Sequence, residues 1–97
     1  MTTWMLVEDE PDIYEIITLM YDMINVVGVS FMNGEDAIDW VGDYEHQPAS
    51  HEKLELALLD IRLPGDINGV DVGRRLSESP ALHDIVVVLM TAYHLTP

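Results

Sequence analysis

Polar side chains follow three apolar segments of the chain, at the points where those segments end. Glu8 and Asp9 follow the run 4–7, Asp60 ends the run 56–59, and Thr91 follows the run 85–90. If the first two runs are neighbouring strands about 4.8 Å apart, their three carboxylates crowd a single rim. Like charges so close raise one another's pKa unless a cation lies among them.

These residue types support one particular chemistry. Oxygen ligands with room for water suit Mg²⁺, which keeps several bound waters and demands octahedral geometry. A carboxylate beside such an ion can act as a nucleophile towards phosphorus and form an aspartyl phosphate, while the metal neutralises charge on the phosphoryl oxygens. Asp60 is the candidate nucleophile and Glu8 and Asp9 the candidate metal ligands. Thr91, one strand away, is placed to donate a hydroxyl hydrogen bond to a phosphoryl oxygen.

The rest of the chain alternates between strand and helix patterns. Strands are predicted at 4–7, 26–31, 54–59 and 85–90. After the first strand the apolar residues recur at helical spacing, which predicts one helix face formed by Ile13, Ile16, Ile17, Met20 and Ile24. A second helix follows Asn33, a typical N-cap, and a third ends before Pro80. The order β-α-β-α-β-α-β predicts an α/β fold, a doubly wound parallel sheet covered on both faces, with functional residues at the carboxyl ends of its strands.

Composition narrows the class of protein. Ninety-seven residues with 48% hydrophobic content suit a single domain over residues 1–97. Eighteen acidic residues against four basic ones, a net charge of −14, argue against nucleic-acid binding, which depends on Lys and Arg. The chain has no cysteine, no apolar run of membrane-spanning length and no basic start typical of a signal peptide. We therefore expect a cytoplasmic protein that does not bind membranes.

Three segments, "LVEDEPDI", "LLDIRLPGDINGVDV" and "VVLMTAY", resemble the receiver domain of two-component response regulators, in the family's order and over essentially the whole chain. The resemblance implies a flavodoxin-like receiver fold with strand order 2-1-3-4, in which Asp60 accepts a phosphoryl group from a histidine kinase or a phosphotransfer protein. It further implies that Glu8, Asp9, Asp60 and the backbone carbonyl of Arg62 bind Mg²⁺, and that Thr91 is the switch hydroxyl. Such a module is not an enzyme beyond self-catalysed phosphotransfer and dephosphorylation.

The chain departs from the family's pattern in its last residues. A receiver domain continues into a fifth strand carrying a lysine, and then into a fifth helix, whereas these 97 residues end before either. We therefore expect a truncated sheet. Lys53 lies roughly 20 Å from Asp60 along the third strand and cannot replace that lysine. The turn from Pro64 to Gly69 is also one residue longer than usual, and Ala92 is small enough to leave the pocket open.

Without a fifth strand, the apolar segment 85–90 becomes an edge of the sheet. Natural edge strands are short, charged or covered, and this segment is none of these. We therefore expect a homodimer that buries the strand and neighbouring surface, unless the chain is a fragment of a longer product. The alternative function is an interaction or dimerisation module that keeps the acidic pocket without phosphorylation. A phosphatase is disfavoured because Arg62 stands where a second aspartate would be needed.

Overall fold

The helices and strands alternate along the chain. The computed structural model describes residues 2–47 and 53–91. Its elements are the strands β1 (Thr3–Val7), β2 (Val27–Phe31), β3 (Leu54–Asp60) and β4 (Val86–Met90) and the helices α1 (Pro11–Met23), α2 (Gly34–His46) and α3 (Gly69–Glu78). The predicted element order is confirmed, and the strand bounds differ from the predicted ones by one residue.

The four strands form one parallel sheet in the order β2-β1-β3-β4, which confirms the predicted α/β receiver topology. Val7 is level with Leu59 in the β1–β3 pair, and Asp60 is level with Met90 in the β3–β4 pair. The carboxyl ends of β1, β3 and β4 therefore meet at one edge of the sheet. Residues that directly follow these strands are brought to the same place.

Local signals in the sequence account for the helix starts. Asn33 caps α2, since its side-chain oxygen accepts a hydrogen bond of 2.8 Å from the Asp36 backbone N–H. Asn68 and Asp71 form a reciprocal capping box at the start of α3. Pro11 is the first residue of α1, where its missing N–H has no helical partner to lose. These caps fix where each helix begins after the strand that precedes it.

Apolar side chains pack on both faces of the sheet. The larger cluster lies between the sheet and the helices α2 and α3, and its fully buried members include Met5, Val7, Ala37, Val41, Leu54, Leu59, Val72 and Leu76. On the opposite face, α1 contributes Tyr21, which packs with Leu6 and Val26. The Tyr21 hydroxyl donates a hydrogen bond of 3.2 Å to the Met5 carbonyl, and burial raises the pKa of Tyr21 to about 12. Each described helix falls short of the length and apolar character that crossing a bilayer requires.

The apolar face predicted for α1 is only partly covered. Ile17 packs against the smaller cluster, whereas Ile16, Met20 and Ile24 are 58%, 55% and 57% exposed. In β4, the side chains of residues 86–89 are between 36% and 57% exposed. The described residues place no strand against the outer edge of β4. Exposed apolar side chains therefore lie both on α1 and along the edge strand β4.

Candidate functional site

The structure brings three carboxyl groups together at the carboxyl edge of the sheet. Glu8 directly follows β1, and its backbone N–H donates to the Phe31 carbonyl at 3.0 Å, which continues the β1–β2 pairing by one residue. Asp60 is the last residue of β3. Carboxylate oxygens of Glu8, Asp9 and Asp60 all lie within 4.8 Å of one another. An oxygen-rich set at this spacing matches the ligands that Mg²⁺ prefers.

Burial raises the free energy of keeping all three carboxyl groups ionised. Glu8 is 2% exposed and Asp60 is 9% exposed. Burial, followed by the hydrogen bond to Asp60 and the negative charges of Asp60 and Asp9, raises the pKa of Glu8 to about 8. A backbone hydrogen bond from Glu10 acts in the opposite direction. Without a cation, Glu8 therefore keeps a proton near neutral pH and shares it with the Asp60 carboxylate.

The Asp60 carboxylate is oriented by the loop that follows it. The Arg62 backbone N–H donates to Asp60 Oδ1 at 3.0 Å. The Ile61 N–H donates to the Met90 carbonyl at 2.9 Å, and the Ile61 carbonyl accepts from the Gly69 N–H at 3.1 Å. The loop is thus tied to β4 on one side and to α3 on the other, which restricts the positions that the carboxylate can adopt.

A cavity of about 170 Å³ opens beside these groups, and Glu8, Ile13, Asp60, Met90 and Thr91 line it. One water takes about 30 Å³ in the liquid, so the cavity can admit an ion with part of its water shell. Thr91, the residue after β4, is exposed at its mouth. The sequence did not identify Ile13 and Met90 as wall residues. The register that sets Met90 beside Asp60 is the feature that explains its position.

The other residues named from the sequence are Arg62, Ala92, Lys53 and the turn from Pro64 to Gly69. Arg62 is exposed at the site, and Ala92 lies outside the described residues. Lys53 precedes β3, at the end opposite Asp60, and forms an exposed ion pair of 3.5 Å with Asp84. In the long turn, Gly65 has a φ of 84°, a conformation that favours glycine.

The fold and the acidic pocket define a class of small α/β signalling domains, and comparison with known proteins identifies the family. The family model for the response regulator receiver domain matches residues 5–96. The chain therefore belongs to the response regulator receiver domain family. Receiver domains are phosphoacceptor signalling modules that bind Mg²⁺ at an acidic pocket.

Solved structures agree with this assignment. The response regulator protein TrrA from Thermotoga maritima, solved in complex with Mg²⁺-BeF, is 28% identical, with a TM-score of 0.73 over 96% of this chain and 71% of that one. The N-terminal domain of a response regulator receiver protein from Methanoculleus marisnigri JR1 is also 28% identical, with a TM-score of 0.69 over 98% of this chain and 70% of that one.

A more distant structure shares the fold alone. It is the signal receiver domain of a modulated diguanylate cyclase from Desulfovibrio desulfuricans G20, 21% identical, with a TM-score of 0.73 over 97% of this chain and 67% of that one. No curated protein matches the chain.

Proposed function

We propose that Asp60 accepts a phosphoryl group from the phosphohistidine of a histidine kinase or a phosphotransfer protein, in a reaction that depends on Mg²⁺. The observation that carries this proposal is the position of the Asp60 carboxylate. It is buried within 4.8 Å of two further carboxylates, on the wall of an open cavity. The T. maritima structure in complex with Mg²⁺-BeF supports the same use of the pocket.

The metal ligands in this proposal are the carboxylates of Glu8, Asp9 and Asp60 and the backbone carbonyl of Arg62. The fit rests on an all-oxygen donor set and on the burial, hydrogen bonding to Asp60 and neighbouring negative charges that leave Glu8 protonated without a cation. When bound, Mg²⁺ supplies positive charge that offsets the charge on the phosphoryl oxygens.

In this proposal, Asp60 and the residues around it perform the phosphoryl transfer. An Asp60 carboxylate oxygen forms a bond to phosphorus while the bond from phosphorus to the imidazole nitrogen breaks, and that nitrogen keeps the electron pair. The Arg62 N–H donates to Asp60 Oδ1, which fixes the orientation of the attacking carboxylate. The Thr91 hydroxyl, which borders the same cavity, donates a hydrogen bond to a phosphoryl oxygen. Ile13 and Met90 give the cavity an apolar wall that limits water beside the acyl phosphate.

The test uses a small phosphodonor such as phosphoramidate with MgCl₂, read by intact mass. We expect one added phosphoryl group in the wild-type chain, none in Asp60→Asn, and none when EDTA removes the metal. Asp66→Asn is the matched control, because Asp66 is an exposed aspartate in the loop that follows Asp60, and it should be labelled like the wild type. A wild-type chain that takes up no phosphoryl group would overturn the proposal.

We also propose that two copies of the chain pair through β4. Val87 and Leu89 lie on the α3 side, next to Gly73, and Met90 packs on the α1 side. Because side chains alternate along a strand, Val86 and Val88 share the α1 side. No charged residue lies between Asp84 and the end of β4, so two such edges can meet without opposing like charges.

A two-fold axis at this edge gives an antiparallel pair. Centred on Val88, that pairing sets Val86 opposite Met90 and Val87 opposite Leu89, apolar against apolar. It also satisfies the backbone groups of the outer edge of β4, which the described residues leave without a neighbouring strand. Partner binding of this kind is compatible with phosphorylation, because the acidic pocket lies at the end of β4.

A further inference from the structure

The chain has four Lys and Arg residues, and the structure describes all of them. Lys53 pairs with Asp84, and Arg75 pairs with Glu45. Among the described residues, Arg62 and Arg74 make no ion pair. Among the lysine and arginine side chains in the described part of the chain, Arg62 and Arg74 are thus the two whose positive charge is not already paired.

Of these two, Arg62 lies at the acidic pocket. It stands two residues after Asp60, and its backbone nitrogen is 3.0 Å from Asp60 Oδ1. Its side chain, with three methylene groups before the guanidinium, is long enough to reach a group attached to that carboxylate. Arg74 lies in the second turn of α3, exposed and five residues beyond the glycine at its start.

A positive charge beside the pocket favours binding of the proposed phosphodonor, which is an anion. The chain carries a net charge of −14, and three of its carboxylates surround the site. A phosphodonor is therefore repelled on approach, and a cation at the mouth of the pocket raises the rate of its association. A guanidinium also presents paired N–H donors that match two oxygens of a phosphoryl group.

We infer that the Arg62 guanidinium binds the phosphoryl group, first on the donor and then on Asp60. This inference rests on the proposed phosphorylation of Asp60 and deepens it by naming a further substrate-binding residue. Arg62 exchanges no proton in the step. It donates hydrogen bonds to phosphoryl oxygens while the bond from Asp60 to phosphorus forms and the bond to the leaving group breaks.

The test measures the initial rate of Asp60 phosphorylation by phosphoramidate in MgCl₂ at low and at high ionic strength. We expect Arg62→Gln to slow the reaction about tenfold at low salt, the scale of one lost charge-assisted contact. Arg62→Lys should recover part of the rate, since it restores the charge without the paired donors. Arg74→Gln is the matched control, with the same loss of charge, and should react within about twofold of the wild type.

The salt dependence separates this role from a structural one. The ratio of the wild-type rate to the Arg62→Gln rate should shrink as salt is added, because screening weakens the attraction between the guanidinium and the donor. Urea unfolding of each variant verifies that it is folded. If the wild type is labelled and Arg62→Gln reacts as fast as Arg74→Gln, the role of Arg62 is overturned while the proposed function stands. If the wild type is not labelled, both are overturned.

Discussion

Gly69, at the start of α3, packs directly against the backbone carbonyl of Asp60. A Cβ atom added at Gly69 would overlap the Asp60 carbonyl and come within 3.0 Å of the Ile61 Cα. The Gly69 N–H donates to the Ile61 carbonyl at 3.1 Å. The start of α3 is thus fixed against the end of β3, and this contact holds the backbone from which the Asp60 carboxylate projects.

Gly69→Ala should therefore disturb both the fold and the site. We expect the free energy of unfolding to fall by about 1–3 kcal/mol, the usual cost of overpacking, and Asp60 phosphorylation to slow because the carboxylate is displaced. Gly42→Ala is the matched control, since a Cβ at Gly42 meets no atom within 4 Å and alanine favours a helix by about 1 kcal/mol. Urea unfolding and phosphoryl labelling measure both effects. Wild-type stability and labelling in Gly69→Ala would contradict the close packing.

The raised pKa of Glu8 predicts how stability depends on pH without metal. The unfolded chain releases this proton near pH 4.5, whereas the folded chain keeps it up to about pH 8. The folded state binds more protons within that window, so the free energy of unfolding should fall as pH rises through it. In Glu8→Gln, which stays neutral, this part of the decline should be absent. Urea titrations at pH 5, 7 and 9 in EDTA test the prediction, and parallel curves for the two chains would refute it.

Binding of Mg²⁺ should offset this loss of stability at high pH. The ion needs ionised carboxylates, so it competes with the Glu8 proton, and its affinity should rise with pH. MgCl₂ should therefore raise the thermal midpoint more at pH 9 than at pH 6, by the linkage between ligand binding and folding. Asp9→Asn should reduce this shift, whereas Asp66→Asn, in the nearby loop, should leave it unchanged. An equal shift in all three chains would place the ion elsewhere.

Some features of the site were predictable from the sequence and others were not. The apolar run that stops at Asp60 and the acids after β1 sufficed to place three carboxylates at one edge, because parallel strands end together. Ile13 and Met90 became wall residues only through the angle of α1 and the β3–β4 register. These depend on packing between distant segments, which the residue pattern does not encode.

The exposed side of α1 illustrates the same limit. Helical spacing identified an apolar face, yet Ile16 and Met20 on that face are mostly exposed. A hydrophobic period defines which residues share a face, but it does not define the element that covers them.

The apolar edge strand predicts self-association that a single charge should disrupt. Val88→Lys places an ammonium at the centre of the proposed β4 pair, where two copies would bring like charges together. Sedimentation velocity should show a dimer for the wild type and a monomer for Val88→Lys. Ser77→Lys adds the same charge to an exposed position on α3 and should leave the dimer intact. A wild-type chain that sediments as a monomer at high concentration would exclude this interface.

A partly buried link between α2 and α3 should set the acid stability of the fold. Arg75 donates two hydrogen bonds to the Glu45 carboxylate, and the buried Ser79 hydroxyl donates a third at 2.7 Å. The bonds from Arg75 and then Ser79 lower the pKa of Glu45 to about 2. Because the folded pKa lies below the unfolded value of 4.5, the stabilisation is complete above pH 4.5 and is lost as pH falls towards 2.

Glu45→Gln should therefore lower the free energy of unfolding at pH 7 by about 1–2 kcal/mol, the scale for hydrogen bonds to a charged group. The difference from the wild type should shrink as pH falls from 4.5 towards 2, since Glu45 itself then becomes neutral. Asp39→Asn, at an exposed position on the same helix, controls for the loss of one negative charge and should change stability by less than about 0.5 kcal/mol. Urea unfolding across this range measures all three chains. A difference between Glu45→Gln and the wild type that stays constant down to pH 2 would mean that the ion pair with Arg75 is not its source.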